Sequence, residues 1–139
     1  MSLTFIEFNN QLKHADEWTI RGLNYCVVVR RHIVEPFGGD GPNRWCVYAY
    51  AYPQHRLFMA TLQQESSYLE PYASMPLHGG CSLRQVHMGT FAVSSIQVGS
   101  DYNHLHDRAF TWMVTREEAI EVFQDAFNLW KHFDEEMDT

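Results

Sequence analysis

Side chains that could carry chemistry gather in two segments in the second half of the chain. Residues 76–82 form the His-Gly-Gly segment, Pro-Leu-His-Gly-Gly-Cys-Ser, and residues 99–107 form the Asp-His segment, Gly-Ser-Asp-Tyr-Asn-His-Leu-His-Asp. Together they hold three of the eight histidines. Histidine exchanges protons near neutral pH, and imidazole and carboxylate groups are common metal ligands. The residue types therefore point to acid/base catalysis or to metal binding.

A divalent metal could be held by Asp101, His104 and Asp107, with His78 as a further ligand from the other segment. Carboxylate oxygen and imidazole nitrogen suit zinc, manganese, iron or nickel. The Asp-x-x-His-x-x-Asp spacing brings all three side chains to one side only if the segment coils. In an extended segment the histidine faces away from the two aspartates. A divalent metal is the cofactor that this spacing suggests.

Two other interpretations of the same segments stay open. Ser82 could act as a nucleophile with His78 as its base and Asp101 orienting the histidine, although no Gly-x-Ser-x-Gly elbow accompanies the serine. Cys81 could instead pair with His78 or His104. Alternatively, the segments are turns and nothing more, because Asp and Asn bond their own backbone. Gly79 and Gly80 would then supply a positive φ or a close backbone approach. Spacing alone does not decide between these interpretations.

Both segments adjoin predicted strands. Runs rich in β-branched and aromatic residues, bounded by Gly and Pro, predict strands at residues 23–34, 44–52, 56–62, 85–99 (with a bend at Gly89) and 109–114. The Gly-Gly-Asp-Gly-Pro turn at residues 38–42 makes the first two strands an antiparallel hairpin. Residues 63–72 fit either a short helix or an irregular loop, and residues 100–108 fit a polar loop.

Helices are predicted at both ends of the chain, over residues 4–17 and 115–136. Each begins with a Thr-x-x-Glu capping box, Thr4 with Glu7 and Thr115 with Glu118. The apolar face of the second helix is expected to contain Ile120, Phe123, Phe127, Trp130 and Phe133. Helix, strands and helix in that order predict a single α+β domain over residues 1–139. We expect an antiparallel sheet of about five strands, with both helices packed on one face.

Charge and cysteine content exclude several classes of partner. The chain has 10 basic and 17 acidic residues, a net charge of −7, which argues against nucleic acid and anionic membranes as partners. Three cysteines without a Cys-x-x-Cys pair argue against a disulfide scaffold. No signal peptide and no apolar run long enough to span a membrane is present in the sequence. We therefore expect a cytoplasmic protein.

The two segments together resemble a pattern found in a family of small bacterial and phage-encoded proteins. That pattern is His-Gly-Gly-x-Thr followed, after a strand, by Gly-x-Asp-x-x-His-x-x-Asp. The matching positions are His78, Gly79, Gly80, Gly99, Asp101, His104 and Asp107. Ser82 stands in place of the usual Thr and keeps its hydroxyl, whereas His106 stands where Gly is frequent. The family has no established activity, so the resemblance implies only that the two segments share one site.

Two hypotheses about function follow. In the first, His78 and His104 are acid/base or ligand groups oriented by Asp101 and Asp107, in a small metal-assisted or acid/base hydrolase acting on a small molecule. The residues expected to contact that ligand are Gly79, Gly80, Ser82 and His106. In the second, the protein is a non-enzymatic accessory factor of a phage or mobile element. Its protein-binding sheet face would contain Trp45, Tyr48, Tyr50 and Tyr52, and a sheet edge or hairpin could form a homodimer.

Overall fold

A computed structural model describes residues 3–11, 16–36, 38–58, 75–79, 81, 83–102 and 105–137, with the backbone alone for residues 105, 106 and 137. Its elements in chain order are α1 (Phe5–Gln11), β1 (Glu17–Gly22), β2 (Tyr25–Ile33), β3 (Asn43–Ala51), β4 (Leu83–Met88), β5 (Val93–Asp101), a 3₁₀ helix (Leu105–Trp112) and α2 (Ile120–Met137). None of the described helices combines the length and the hydropathy that a membrane-spanning segment needs.

The five strands form one antiparallel sheet in the order β1-β2-β3-β5-β4. The predicted hairpin of β2 and β3 is confirmed, with Val28 opposite Tyr48. The predicted bend at Gly89 is also confirmed, because it joins β4 to β5 and the Gly89 N–H donates to the Ala92 carbonyl at 2.7 Å. The sheet and the terminal helices packed against it confirm the predicted α+β fold.

Alternation along the strands gives the sheet two different faces. The helix-covered face contains Trp45, Val47 and Ala49 of β3, all fully buried in the core. The other face, here called the tyrosine face, contains the alternate residues of the same strand and the residue that follows it, Cys46, Tyr48, Tyr50 and Tyr52. Neighbouring residues of a strand point to opposite faces, so this division is fixed by sequence parity.

Helix α2 covers the sheet with aromatic side chains. Phe123, Phe127, Trp130 and Phe133 are buried as predicted, but Ile120 is 42% exposed. The apolar face includes Ala119, Val122, Ala126 and Leu129 instead, which turns Ile120 toward solvent. The expectation that Ile120 belongs to the buried stripe is therefore wrong.

Both capping boxes are present. Glu118 N–H donates to Thr115 Oγ1 at 3.1 Å, and Thr115 N–H donates to Glu118 Oε1 at 3.1 Å. Thr4 and Glu7 make the same exchange at 3.2 and 3.4 Å. The backbone hydrogen bonds that Thr115 and Val114 donate lower the pKa of Glu118. The boxes satisfy N–H groups that have no partner within a helix.

Several predicted boundaries differ from the structure. Helix α2 begins at Ile120 instead of residue 115, because residues 116–119 form a turn between the capping box and the helix. The described part of α1 is Phe5–Gln11, and the helix predicted to reach residue 17 is wrong there, because Glu17 begins the strand β1. Strand β1 over Glu17–Gly22 was not predicted, although Trp18 and Ile20 alternate with polar residues as a strand requires. The predicted strand at 56–62 is wrong where it is described, because residues 56–58 are helical. The predicted strand at 109–114 is wrong because that stretch begins within the 3₁₀ helix.

Hydrogen bonds specific to this fold account for both strand errors. The Thr111 hydroxyl donates to the Arg108 carbonyl at 2.6 Å and accepts from the Gly41 N–H at 2.7 Å. These two bonds hold the 3₁₀ helix against the turn between β2 and β3. Near residue 56, the His55 ring accepts the Leu57 N–H at 3.0 Å, which stabilises a turn instead of a strand. The predicted helix or loop at 63–72 lies outside the described residues.

Candidate functional site

The two chemically rich segments meet through one hydrogen bond. His78 Nε2 lies 2.8 Å from Asp107 Oδ1, and it donates its proton to that carboxylate. Gly79 has φ of +68°, a left-handed conformation that glycine adopts without strain, and it turns the chain immediately after His78. Asp107 lies in the first turn of the 3₁₀ helix. A turn and a helix start thus bring the histidine and the aspartate together.

The two partners differ in exposure. The Asp107 side chain is 2% exposed, whereas the His78 side chain is 22% exposed. A buried carboxylate is stabilised by accepting hydrogen bonds, so Asp107 keeps His78 in its place. The proton on Nε2 leaves the lone pair of the neutral ring on Nδ1. His78 therefore has one nitrogen held by a buried carboxylate and belongs to a partly exposed side chain.

The His78 ring lies flat on Tyr102. The ring centroids are 4.2 Å apart and the planes are 17° from parallel. Phe110 of the 3₁₀ helix contacts both rings, His78 edge-on at 6.0 Å and Tyr102 at 4.9 Å. Tyr102 follows β5, and its N–H donates to the Trp45 carbonyl at 3.0 Å, which extends the sheet by one residue. An aromatic cluster anchored to the sheet supports the imidazole.

The Tyr102 hydroxyl donates to the Asp125 carboxylate of α2. Burial raises the pKa of Tyr102 far above its usual range, and the hydrogen bond to Asp125 raises it further. The phenol is thus a permanent proton donor to Asp125 at physiological pH. Through this bond the helix, the end of β5 and the imidazole become one connected unit.

Asp101 lies on the other side of the sheet. It is paired with Cys46 at the end of β5, so strand alternation directs its side chain to the tyrosine face. Tyr102, the next residue, points to the helix-covered face and reaches His78. Of the four predicted acid/base residues, the structure brings His78 and Asp107 together and separates Asp101 from them by the thickness of the sheet.

The other predicted site residues are not described in full. Gly80, Ser82 and His104 lie outside the described residues, as does the side chain of His106. Among the side chains that the structure does describe, no group of three or more His, Cys, Asp and Glu residues is arranged to hold a metal ion. Among the described side chains that were predicted to bind a metal, His78 and Asp107 are the two that lie together.

Gly99 and Cys81 have structural explanations. A Cβ atom at Gly99 would lie 2.4 Å from the ring of Tyr48, so this glycine allows the tyrosine to lie close against β5. The Cys81 thiol donates to the Leu83 carbonyl at 3.1 Å, and burial raises its pKa. A thiol that keeps its proton is a poor nucleophile, which disfavours the cysteine–histidine interpretation.

The sequence analysis missed Tyr102, Phe110 and Asp125. Tyr102 stands within the Asp-His segment, between two residues that were singled out, and its aromatic ring was the available signal. Asp125 lies within α2 between the buried residues Phe123 and Ala126. An acidic residue flanked so closely by core positions indicates a specific partner, which here is the Tyr102 hydroxyl.

The tyrosine face has a different character. Tyr48 and Tyr50 are half-buried there, and the guanidinium of Arg30 lies over the Tyr48 ring at 5.6 Å. Trp45, which was predicted to join these tyrosines in a protein-binding face, is fully buried on the helix-covered face. The predicted aromatic surface therefore consists of the tyrosines without the tryptophan.

Comparisons of this chain with protein-family models, with curated proteins and with solved structures gave no match. Function must accordingly be inferred from the residues of the site.

Proposed function

We propose that His78 and Asp107 are the acid/base pair of a small hydrolase. The observation that carries the proposal is the hydrogen bond between a partly exposed imidazole and a buried carboxylate. This arrangement is the one that hydrolytic sites use, in which the carboxylate fixes the tautomer and stabilises the imidazolium that forms. His78 then removes a proton from a water molecule through Nδ1 and returns it to the leaving group.

A metal-assisted form of the same site uses the same two residues. A histidine that binds a metal through one nitrogen commonly donates its other N–H to a carboxylate, and His78 already donates Nε2–H to Asp107. Zinc or a similar ion would bind Nδ1 and lower the pKa of a bound water. His104 would be the further ligand that the sequence predicts, and it lies in the same segment as Asp107.

The test is the hydrolysis of p-nitrophenyl acetate, an activated ester that needs no specific recognition. His78→Ala should lower the rate about a hundredfold, within the usual contribution of a general base. His87→Ala is the matched control, because His87 also contacts a tyrosine ring and donates to a side-chain oxygen, yet has no carboxylate partner in that contact. Equal rates for the two variants would contradict the proposal.

Two further arms divide the versions of the site. Loss of activity in a chelator, restored by zinc or manganese, would assign the metal-assisted form, whereas retained activity would assign direct activation of water by His78. His104→Ala tests whether the second predicted histidine belongs to the site.

The proposed setting is the cytoplasm of a bacterium or phage host, and the three free cysteines support a reducing compartment.

A second candidate function is binding of a protein partner, or of a second copy of the chain, by the tyrosine face. It is favoured by the half-buried Tyr48 and Tyr50 beside Arg30, because Tyr and Arg are enriched at the centres of interfaces. Under this alternative, Tyr50→Ser would weaken the association and leave ester hydrolysis unchanged. Sedimentation of the wild type and this variant measures the self-association arm directly.

A further inference from the structure

We propose that Tyr102 is a positioning residue for His78 and that it acts through its ring. This inference rests on the proposed function, since it assigns the group that aims the acid/base histidine. Nothing in the Asp-x-x-His-x-x-Asp pattern marks Tyr102, which occupies one of its unspecified positions. Its role follows from where the sheet and α2 place it.

Two contacts together fix the orientation of the His78 ring. The hydrogen bond to Asp107 holds one ring nitrogen, but alone it would let the ring rotate about the line that joins the two groups. The flat contact with Tyr102 at 4.2 Å fixes the plane of the ring. With one atom and the plane both fixed, Nδ1 points in a single direction.

Tyr102 suits this role because it is itself held at three points. Its backbone N–H is bonded to Trp45, its hydroxyl is bonded to Asp125, and its ring contacts Phe110. The side chain is 1% exposed, so the ring has no room to turn away. The Tyr102 ring is therefore held in place by the sheet and by α2, as a precise site requires.

The stacked ring also favours the charged state of the catalytic cycle. When His78 takes a proton from water it becomes an imidazolium, which lies on the face of an electron-rich ring and beside the Asp107 carboxylate. A cation over an aromatic face is attracted by the ring quadrupole. Tyr102 thus acts on the reaction through His78, without touching the substrate.

The experiment compares Tyr102→Leu with the conservative Tyr102→Phe. Tyr102→Leu removes the flat ring and should lower p-nitrophenyl acetate hydrolysis about ten- to a hundredfold, the scale of a small misplacement of a reacting group. Tyr102→Phe keeps the ring and should stay close to the wild-type rate, because the hydroxyl does not touch the reacting atoms. Equal losses in the two variants would overturn the inference, because the hydroxyl and not the ring would then matter.

Two readouts separate positioning from loss of fold. The ring-proton NMR signals of His78 should lie upfield in the wild type and in Tyr102→Phe, and they should move downfield in Tyr102→Leu. In His78→Gly, added imidazole should restore part of the rate, and Tyr102→Leu in that background should abolish the rescue. Unchanged His78 signals or an unchanged rescue in the leucine variants would contradict the role of Tyr102.

The failure of each proposal has its own signature. If His78→Ala keeps the rate of His87→Ala, the hydrolase proposal is wrong, while the NMR signals still decide whether Tyr102 orients the ring. If His78→Ala loses activity and Tyr102→Leu does not, the hydrolase proposal stands and the positioning inference is wrong. Circular dichroism and thermal unfolding of each variant test whether the fold is retained.

Discussion

In two regions of the molecule, a histidine ring contacts a tyrosine ring. In each region the histidine also donates its Nε2–H to a side-chain oxygen at 2.8 Å. On the helix-covered side, His78 contacts Tyr102 and Asp107, and on the tyrosine face, His87 contacts Tyr50 and Gln97. The first ring lies flat, 17° from its tyrosine at 4.2 Å, while the second is tilted by 31° at 5.9 Å.

The decisive difference is the charge of the oxygen that accepts the hydrogen bond. Asp107 provides a carboxylate that stabilises an imidazolium, and Gln97 provides a neutral amide that does not. A histidine that must take up and release a proton gains from the first partner alone. Under the proposed function, similar local geometry serves catalysis in one region and packing in the other, and the accepting group distinguishes the two.

The largest expected effect comes from making the first region resemble the second. Asp107→Asn replaces the carboxylate by an amide of the same size, and the His78 hydrogen bond keeps its geometry. Loss of the charge that stabilises the imidazolium should reduce ester hydrolysis about a hundredfold or more, as for other acid/base groups. Steady-state kinetics measure the effect, with Gln97→Ala as the control.

In that comparison Gln97→Ala should leave the rate close to that of the wild type. Gln97 is buried on the tyrosine face, remote from His78 and Asp107, so its loss does not alter transition-state binding. An Asp107→Asn protein as active as Gln97→Ala would mean that the charge of Asp107 has no part in the reaction. The hydrolase proposal would then lose its central support.

The next effect concerns stability on the tyrosine face. Gly99→Ala adds a methyl group 2.4 Å from both the Tyr48 ring and the Val47 carbonyl. The backbone oxygen cannot move aside as a side chain can, so the strand must shift, and overpacking of this kind costs about 1–3 kcal/mol. Urea unfolding measures the loss, which should not appear for Gly38→Ala beyond its positive-φ strain, since no atom lies within 4 Å there.

The fold could be predicted from the sequence more completely than the contacts of the candidate site. Period-two patterns, turn residues and capping boxes are local, and they correctly predicted the β2–β3 hairpin, the bend at Gly89 and the buried face of α2 apart from Ile120. The contact between His78 and Asp107 joins residues 29 positions apart, and the sequence supplied both partners without showing that they touch. Local pattern cannot give that distance.

Asp101 shows the limit most directly. It was grouped with His78 because both are ionisable and both belong to the chemically rich segments. The last residues of β5, however, still alternate as in a strand, so Asp101 and Tyr102 point to opposite faces of the sheet. Whether residue 101 belonged to a strand or to a loop decided its role. That boundary depends on pairing with β3, which is a tertiary contact.

A third histidine, His55, is buried in the core, and its protonation should make the stability of the fold depend on pH. His55 is 1% exposed, its Nδ1 accepts the Leu57 N–H, and its Nε2–H donates to the Phe133 carbonyl. Burial lowers its pKa below the usual 6.5. Since the folded pKa is depressed, its stabilising contribution is complete above the unfolded pKa near 6.5 and is lost as the pH falls through the folded pKa.

Protonation of His55 would also break the Leu57 hydrogen bond, a loss of about 1 kcal/mol on the usual scale. Denaturant unfolding at pH 7.5 and at successively lower pH measures the decline. His55→Gln should lower the free energy of unfolding at pH 7.5 and flatten its decline with acid. An equally steep decline in His55→Gln would assign the acid sensitivity to other groups.

The smallest expected effect belongs to His87. His87→Ala removes a partly exposed hydrogen bond to Gln97 and a tilted ring contact with Tyr50, which together contribute about 1 kcal/mol. Its free energy of unfolding should fall by that amount while ester hydrolysis stays at the wild-type rate. The converse result, a lost activity with unchanged stability, would place the reacting histidine on the tyrosine face. His87 beside Gln97 would then be the acid/base group, and the carboxylate would no longer distinguish the two regions.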